Sequence, residues 1–257
     1  AAVGLKPVMY ASVVCFFVTA LFECFIKLGY QAREFQGNIL SMAKNDFSGS
    51  IRFITKERPD IMKMLLLAAF SRFFVMGVTL VGLPFLVRTV LGLDAKFYGG
   101  AESAMAVATI LGSIAAGLLT GKLKSGRLSY VLAAIGICII PAGVIFLFPF
   151  GVMTRYAVIV AAFCGMQAAI SVFSIFAVSM IQQNTPDELI GKIMAYTSAV
   201  TLCAQPVGQM VYGFLFDRFQ GIVYLVLIPS GIVVCVIGLL ATGFFRKMEE
   251  KQGSAID

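Results

Sequence analysis

Few side chains within the long apolar stretches of this sequence could do chemistry, and Arg72 is the first of them. It lies nine residues after Lys63, which is about 13 Å along a helix. An arginine near the centre of a membrane helix costs at least about 2.5–3.5 kcal/mol, so it needs a cavity or an acidic partner. We therefore predict that Arg72 binds a substrate or forms part of a gate. The alternative is a structural cation bonded to backbone carbonyls of a neighbouring helix.

The other polar side chains in apolar stretches are two amides and an acid. Gln167 lies well inside one stretch, and Gln205 precedes Pro206, where a helix loses a backbone hydrogen bond. Each amide could bind a substrate or could bond across to a neighbouring helix. Glu102 opens another stretch, where it is either an outer-gate partner for a cation or an acid stabilised by the helix dipole.

Phenylalanines supply aromatic faces that either line a cavity for amphiphilic solutes or pack in the interior. Phe73 and Phe173 are the two that we place among the candidates. The predicted substrate-binding or gating residues are Arg72, Phe73, Glu102, Gln167, Phe173 and Gln205.

The sequence does not indicate an enzyme. It contains no histidine, and the acids within its apolar stretches are isolated from one another, so neither the commonest general base nor a paired intramembrane carboxylate site is present. The six cysteines lie in or at the edges of apolar stretches without a C-x-x-C spacing, which is typical of packing residues. We expect no enzymatic activity, no metal and no organic cofactor.

The composition restricts the chain to one class of protein. It is 60% hydrophobic and 13% charged, with a mean hydropathy of +0.94, whereas soluble domains carry about 25% charged residues. The net charge is +7, but the basic residues stand between apolar stretches rather than on one face. We expect an integral membrane protein in contact with lipid and no binding of nucleic acid.

Seven apolar segments come close to the length of about 20 residues that a membrane-spanning helix needs. They cover residues 7–27, 62–87, 98–120, 129–150, 156–181, 188–216 and 221–245. The links between the last six are short, so consecutive helices should pack antiparallel. We predict an all-α polytopic helix bundle with about seven transmembrane helices.

Most of the 20 lysines and arginines fall on one side of this arrangement. They lie in the link 28–61, around Lys122 and in the tail 246–257. Cytoplasmic loops carry such an excess. We therefore predict a multi-pass protein of the cell membrane with the N-terminus of this chain outside and its C-terminus in the cytoplasm.

Two links contain local patterns. Phe47, Ile51 and Ile54 form an apolar stripe beside basic residues, which predicts either a helix lying on the membrane surface or a solvated linker. Thr185 and Glu188 are spaced as a capping box, which predicts a helix with Thr185 as its N-cap.

Two longer motifs carry a resemblance to a known family. Residues 82–93 read GLPFLVRTVLGL and residues 182–194 read QQNTPDELIGKIM, and PVG at 206–208 and GFLFDR at 213–218 continue the pattern. With a long basic link followed by six apolar segments, these motifs resemble the second half of a major facilitator superfamily (MFS) transporter. The likeness is to the drug, macrolide and siderophore exporter branch.

This resemblance implies a domain organisation with the MFS fold. Residues 1–27 would be the last helix of an N-terminal half, 28–61 a cytoplasmic central loop with an amphipathic helix, 62–245 the six-helix C-terminal half, and 246–257 a cytoplasmic tail. It also implies that the missing N-terminal half of the same protein is a partner of this chain. A natural seven-span protein is the alternative.

The resemblance further implies proton-driven efflux of a hydrophobic or amphiphilic small molecule by alternating access. Membrane lipids, the small-molecule substrate and protons are then the expected partners. Uptake of a nutrient or transport of a lipid is an alternative, and a non-transporting membrane partner protein is another.

Overall fold

The computed structural model describes residues 5–25, 58–120 and 125–253, and all regular secondary structure in these ranges is helical. The helices are α1 (Leu5–Cys24), α2 (Pro59–Gly77), α3 (Ala95–Leu119), α4 (Leu128–Val144), α5 (Val152–Gln183), α6 (Asp187–Arg218), α7 (Tyr224–Leu240) and α8 (Thr242–Gly253). The surface helix predicted around Phe47 lies outside the described residues.

Six of the predicted segments are long and apolar enough to cross a membrane, by length and composition. They are Pro59–Val90, Ala95–Leu119, Leu128–Leu147, Val152–Gln183, Leu189–Arg218 and Tyr224–Met248. The first predicted segment contains the shorter apolar helix Met9–Cys24. The all-α membrane fold predicted from the sequence is confirmed.

The chain divides into two compact units, residues 1–47 and 48–257. Helix α1 belongs to the first unit, and helices α2–α8 form the second. In the second unit, the side that holds the start of α2, the α5–α6 turn and α8 is called the tail side below. The opposite side, with the α2–α3, α4–α5 and α6–α7 links, is called the far side.

Glycines allow α4 and α7 to pack with their backbones in contact. A Cβ atom on Gly136 would lie 2.6 Å from the amide nitrogen of Cys235, and one on Gly231 would lie 2.8 Å from the carbonyl oxygen of Gly136. The thiol of Cys235 also donates to the carbonyl of Ala133 at 3.4 Å. Small residues at such crossings drive helix association in membranes, where van der Waals packing replaces the hydrophobic effect.

Helix α3 packs against α5 in the same way. A Cβ on Gly112 would lie 2.6 Å from the carbonyl oxygen of Ala168. Ala108 and Ala116, each one turn from Gly112, are also buried. This small-residue face brings α3 onto α5, which also packs against α4.

The membrane span that begins with α2 continues beyond Gly77. Two π-helical segments, Val78–Gly82 and Phe85–Val90, continue the same span to Val90. Pro84 lies between them and has no N–H to donate, which is one cause of a local change in helical register. The first motif of the family resemblance therefore lies largely within this span.

The turn between α5 and α6 differs from the predicted capping box. The N-cap of α6 is Pro186, and no side chain caps it. The buried hydroxyl of Thr185 instead donates a 2.6 Å hydrogen bond to the carbonyl of Ile181. The prediction was wrong because the last carbonyls of α5 also lack intrahelical donors and compete for the same hydroxyl.

Helix α8 closes the tail side of the unit. It packs against the short 3₁₀ turn Ser125–Arg127 that precedes α4, with Phe245 and Met248 buried. The ammonium of Lys63 lies 5.3 Å from the ring centroid of Phe244, within the range of a cation–π interaction. These contacts connect the start of α2 with α8.

Candidate functional site

A cavity of about 280 Å³ lies between α2, α5 and α6. The described residues of its lining are one cation, several residues with hydroxyl groups and a majority with apolar side chains. These are Arg72; Ser71, Ser174, Thr197, Ser198 and Thr201; and Ala68, Ile170, Ala177, Val178, Ile181, Met194 and Leu202. A mostly apolar wall with a few convergent polar groups is typical of a small-molecule site.

Arg72 lies near the middle of its span. It is the fourteenth residue of the 32-residue span Pro59–Val90, about 20 Å from the start of the helix. The side chain is half-buried, and its Nε atom is fully buried without a hydrogen-bond partner. An unpaired polar group in such surroundings carries a desolvation penalty.

Three hydroxyl groups of the cavity donate hydrogen bonds to carbonyls of their own helices. Ser71 donates to the carbonyl of Ala68 at 2.9 Å. On α6, Thr197 donates to Ile193 at 2.9 Å and Thr201 to Thr197 at 2.8 Å. The proton of each of these hydroxyls is already donated, but its oxygen still has lone pairs that can accept a hydrogen bond.

Of the six residues predicted from the sequence, the cavity lining includes Arg72 and not the other five. Phe173 is fully buried in the core. Phe73 is half-buried and belongs to an aromatic cluster, with its ring centroid 5.1 Å from Phe74 and 6.3 Å from Tyr212. These two phenylalanines therefore pack beside or behind the cavity.

The remaining three predicted residues lie in three different places. Glu102, near the far side, accepts a 3.0 Å hydrogen bond from the hydroxyl of Tyr98. Gln167 lies on α5 with its Oε1 atom buried and without a partner. Gln205 is half-buried, and its neighbour Pro206 lacks the N–H that would bond the carbonyl of the cavity residue Leu202.

A comparison with family models gives one match. The model described as Major Facilitator Superfamily matches residues 2–208, which is more than half of the chain. This chain belongs to the Major Facilitator Superfamily. No curated protein and no solved structure matches it. The superfamily consists in general of transporters rather than enzymes.

This superfamily member also has a second cavity, on the far side, of about 310 Å³. Its most polar feature is Arg155, which donates from Nη2 to the carbonyl of Phe148 at 3.0 Å and places its guanidinium carbon 5.5 Å from the Phe146 ring centroid. Both partners belong to the end of α4 and its link to α5. Arg155 therefore stabilises this link, and this structural role is sufficient to explain why an arginine lies in the second cavity.

The hydroxyl face of α6 in this MFS chain was not among the features predicted from the sequence. Thr197, Ser198 and Thr201 follow one another at i, i+1 and i+4, so they share one face of the helix. A signal was present, because the span Leu189–Arg218 has a mean hydropathy of 1.2, against 1.6 to 2.5 for the other five. A less apolar span in a membrane bundle indicates a face that does not contact lipid.

Proposed function

We propose that this MFS chain belongs to a secondary transporter that exports a hydrophobic or amphiphilic small molecule across the cell membrane by using the proton gradient. The observation that carries the proposal is the cavity between α2, α5 and α6, which contains a mid-span arginine in a mainly apolar wall. In transporters of this type, the solute site lies near the middle of the membrane and is exposed alternately to each side.

The position of the cavity supports this reading. On α5 it extends from Ile170 to Ile181, and on α6 from Met194 to Leu202. Both ranges run from the middle of the helix towards the tail side. We place the tail side in the cytoplasm because of the excess of basic residues there, so an exported solute would reach the cavity from the cytoplasm.

Proton coupling and the direction of transport rest on the resemblance to the exporter branch. The cavity lining contains no carboxylate among the described residues. We therefore assign proton coupling to groups outside this cavity, and the driving force has to be tested separately from the site.

The test uses inside-out membrane vesicles that contain the full-length protein. Respiration or ATP hydrolysis acidifies their lumen, so a proton-driven exporter accumulates its solute inside. We expect accumulation of at least one compound from a panel of fluorescent amphiphiles, and we expect a protonophore to abolish it. Accumulation without dependence on the proton gradient would contradict the coupling, and loss of preloaded solute on energisation would indicate uptake instead.

A matched pair of variants connects this activity to the cavity. Ser198→Trp places a bulky ring in the cavity wall, whereas Val200→Trp changes an exposed residue of the same helix that does not line it. We expect Ser198→Trp to abolish accumulation and Val200→Trp to preserve it. Equal activity in both variants, or no accumulation of any compound by the unaltered protein, would overturn the proposed function.

A further inference from the structure

The described lining of the cavity between α2, α5 and α6 carries positive charge and no negative charge. Among the described residues of its lining, Arg72 is the only charged one, and its Nε atom is fully buried without a partner. The remaining polar groups of the lining are hydroxyls. A solute that enters this cavity therefore meets a cation that no lining residue neutralises.

No acid of the described part of the second unit lies at the depth of Arg72. Asp60 stands at the start of α2, about 18 Å away along the helix axis. Glu102 and Asp217 are placed by their helices near the far side, and Glu102 accepts a hydrogen bond from Tyr98. Asp187 stands at the first turn of α6, on the tail side.

From this arrangement we infer that the solute carries an anionic group, and that Arg72 binds it. The inference rests on the proposed transport function and adds the chemical class of the solute. A guanidinium presents a planar fork of N–H donors that matches a carboxylate, phosphate or sulfonate with two hydrogen bonds. A cationic solute would be repelled by Arg72.

The rest of the lining defines the other parts of the solute. The apolar side chains from α5 and α6 suit a hydrocarbon or aromatic body. The hydroxyls of Thr197 and Thr201 already donate to their own helix, so they offer acceptors to a hydroxyl or amide N–H of the solute. The solute class is therefore a small acidic amphiphile with an apolar body.

The experiment compares three fluorescent probes that share one aromatic body and end in a carboxylate, a neutral amide or a quaternary ammonium. Counterflow in proteoliposomes with the membrane potential clamped at zero measures transport of each probe without an electrical driving force. We expect counterflow of the carboxylate to exceed that of the ammonium at least tenfold. Equal counterflow of the three probes, or a preference for the ammonium, would overturn the inference while leaving the transport function standing.

Variants at Arg72 distinguish binding of the anionic group of the solute from a structural role of this residue. We expect Arg72→Gln to lower kcat/KM for the carboxylate at least tenfold and to change that for the neutral amide less than threefold. Arg72→Lys keeps the charge but loses the planar fork, so we expect it to retain part of the carboxylate preference. If Arg72→Gln lowers the counterflow of all three probes by the same factor, Arg72 is a structural cation and the inference is wrong.

Binding is measured in parallel by the fluorescence anisotropy of each probe with the purified protein in detergent. We expect the carboxylate to bind the unaltered protein at least tenfold more tightly than it binds Arg72→Gln. If no probe shows counterflow but this binding difference is present, the proposed function fails and the anion site remains. If the carboxylate binds both proteins equally, the anion site fails whatever the transport assay shows.

Discussion

The backbone of Phe73 lies directly against the α-carbon of Gly208. A Cβ atom on Gly208 would stand 3.0 Å from the carbonyl carbon of Phe73 and 3.1 Å from its Cα. The carbonyl oxygen of Phe73 would be closer still, at a separation that real Cβ atoms essentially never show, so only glycine allows α2 and α6 to approach to this distance. Because Phe73 follows Arg72 directly, this contact also fixes where Arg72 stands in the cavity wall.

We expect Gly208→Val to separate α2 from α6 and to lower both stability and transport. Overpacking at a tight contact costs about 1–3 kcal/mol, and the displacement moves Arg72 away from the cavity. Thermal stability of the purified protein in detergent and counterflow in proteoliposomes measure the two effects.

Gly213→Val on the same helix is the control, because a Cβ there has no neighbour within 4 Å. We expect it to keep both the thermal stability and the transport rate of the unaltered protein. If the two valine variants behaved alike, the close approach at Gly208 would have no special role.

A second prediction concerns the contact between α6 and α7. The buried hydroxyl of Tyr212 donates a 2.6 Å hydrogen bond to Oγ of Ser230, which in turn donates to the carbonyl of Val226 at 2.6 Å. Tyr212→Phe removes the first bond and leaves the second. Since interhelical hydrogen bonds in membranes average about 0.6 kcal/mol, we expect only a small loss of stability in a denaturing-detergent titration.

Tyr212→Ala should behave differently, because it also removes a ring that packs among Phe73, Phe74 and Phe216. A large-to-small change in a packed core costs about 3–5 kcal/mol. Similar losses for the phenylalanine and alanine variants would show that the hydrogen bond, rather than the ring, stabilises this contact.

A third prediction concerns the packing of α8 on the tail side. Phe245 is fully buried, whereas Leu240, at the end of α7, is 76% exposed. We expect Phe245→Ala to lower the free energy of unfolding by about 3 kcal/mol or more and Leu240→Ala to leave it nearly unchanged. Chemical denaturation of the detergent-solubilised variants checks this, and an equal response would mean that α8 is not packed as described.

The places of six membrane helices could be predicted because they depend on the length of apolar runs along the chain, whereas the first of the seven predicted segments holds the shorter apolar helix Met9–Cys24. A special environment for Arg72 could be predicted as well, since a charge near the middle of such a run is costly unless it meets a cavity or a partner. Its role in binding or gating stays a prediction. The described spans and the position of Arg72 on a cavity agree with these two arguments.

The walls of the cavity could not be predicted from residue type. Phe173 and Phe73 are as suitable for a core as for a binding surface. Which of the two surroundings each ring meets depends on how its helix is oriented about its own axis. Thr185 presents the same problem at short range, because its hydroxyl can cap the helix that follows or bind a carbonyl of the helix before it. The π-helical segments after Gly77 lie in a continuous apolar run, where hydrophobic periodicity gives no signal.

The most direct test of the central claim is whether the cavity opens alternately to the two sides of the membrane. In a functional full-length variant without native cysteines, including the six of this chain, Thr201→Cys introduces one thiol into the cavity wall. Membrane-impermeant thiol reagents are then applied separately to right-side-out and inside-out vesicles, with Val200→Cys as the control outside the cavity. We predict that Cys at position 201 reacts from both sides and that a transported solute slows both reactions. Reaction from one side only, or no protection by the solute, would contradict transport through this cavity.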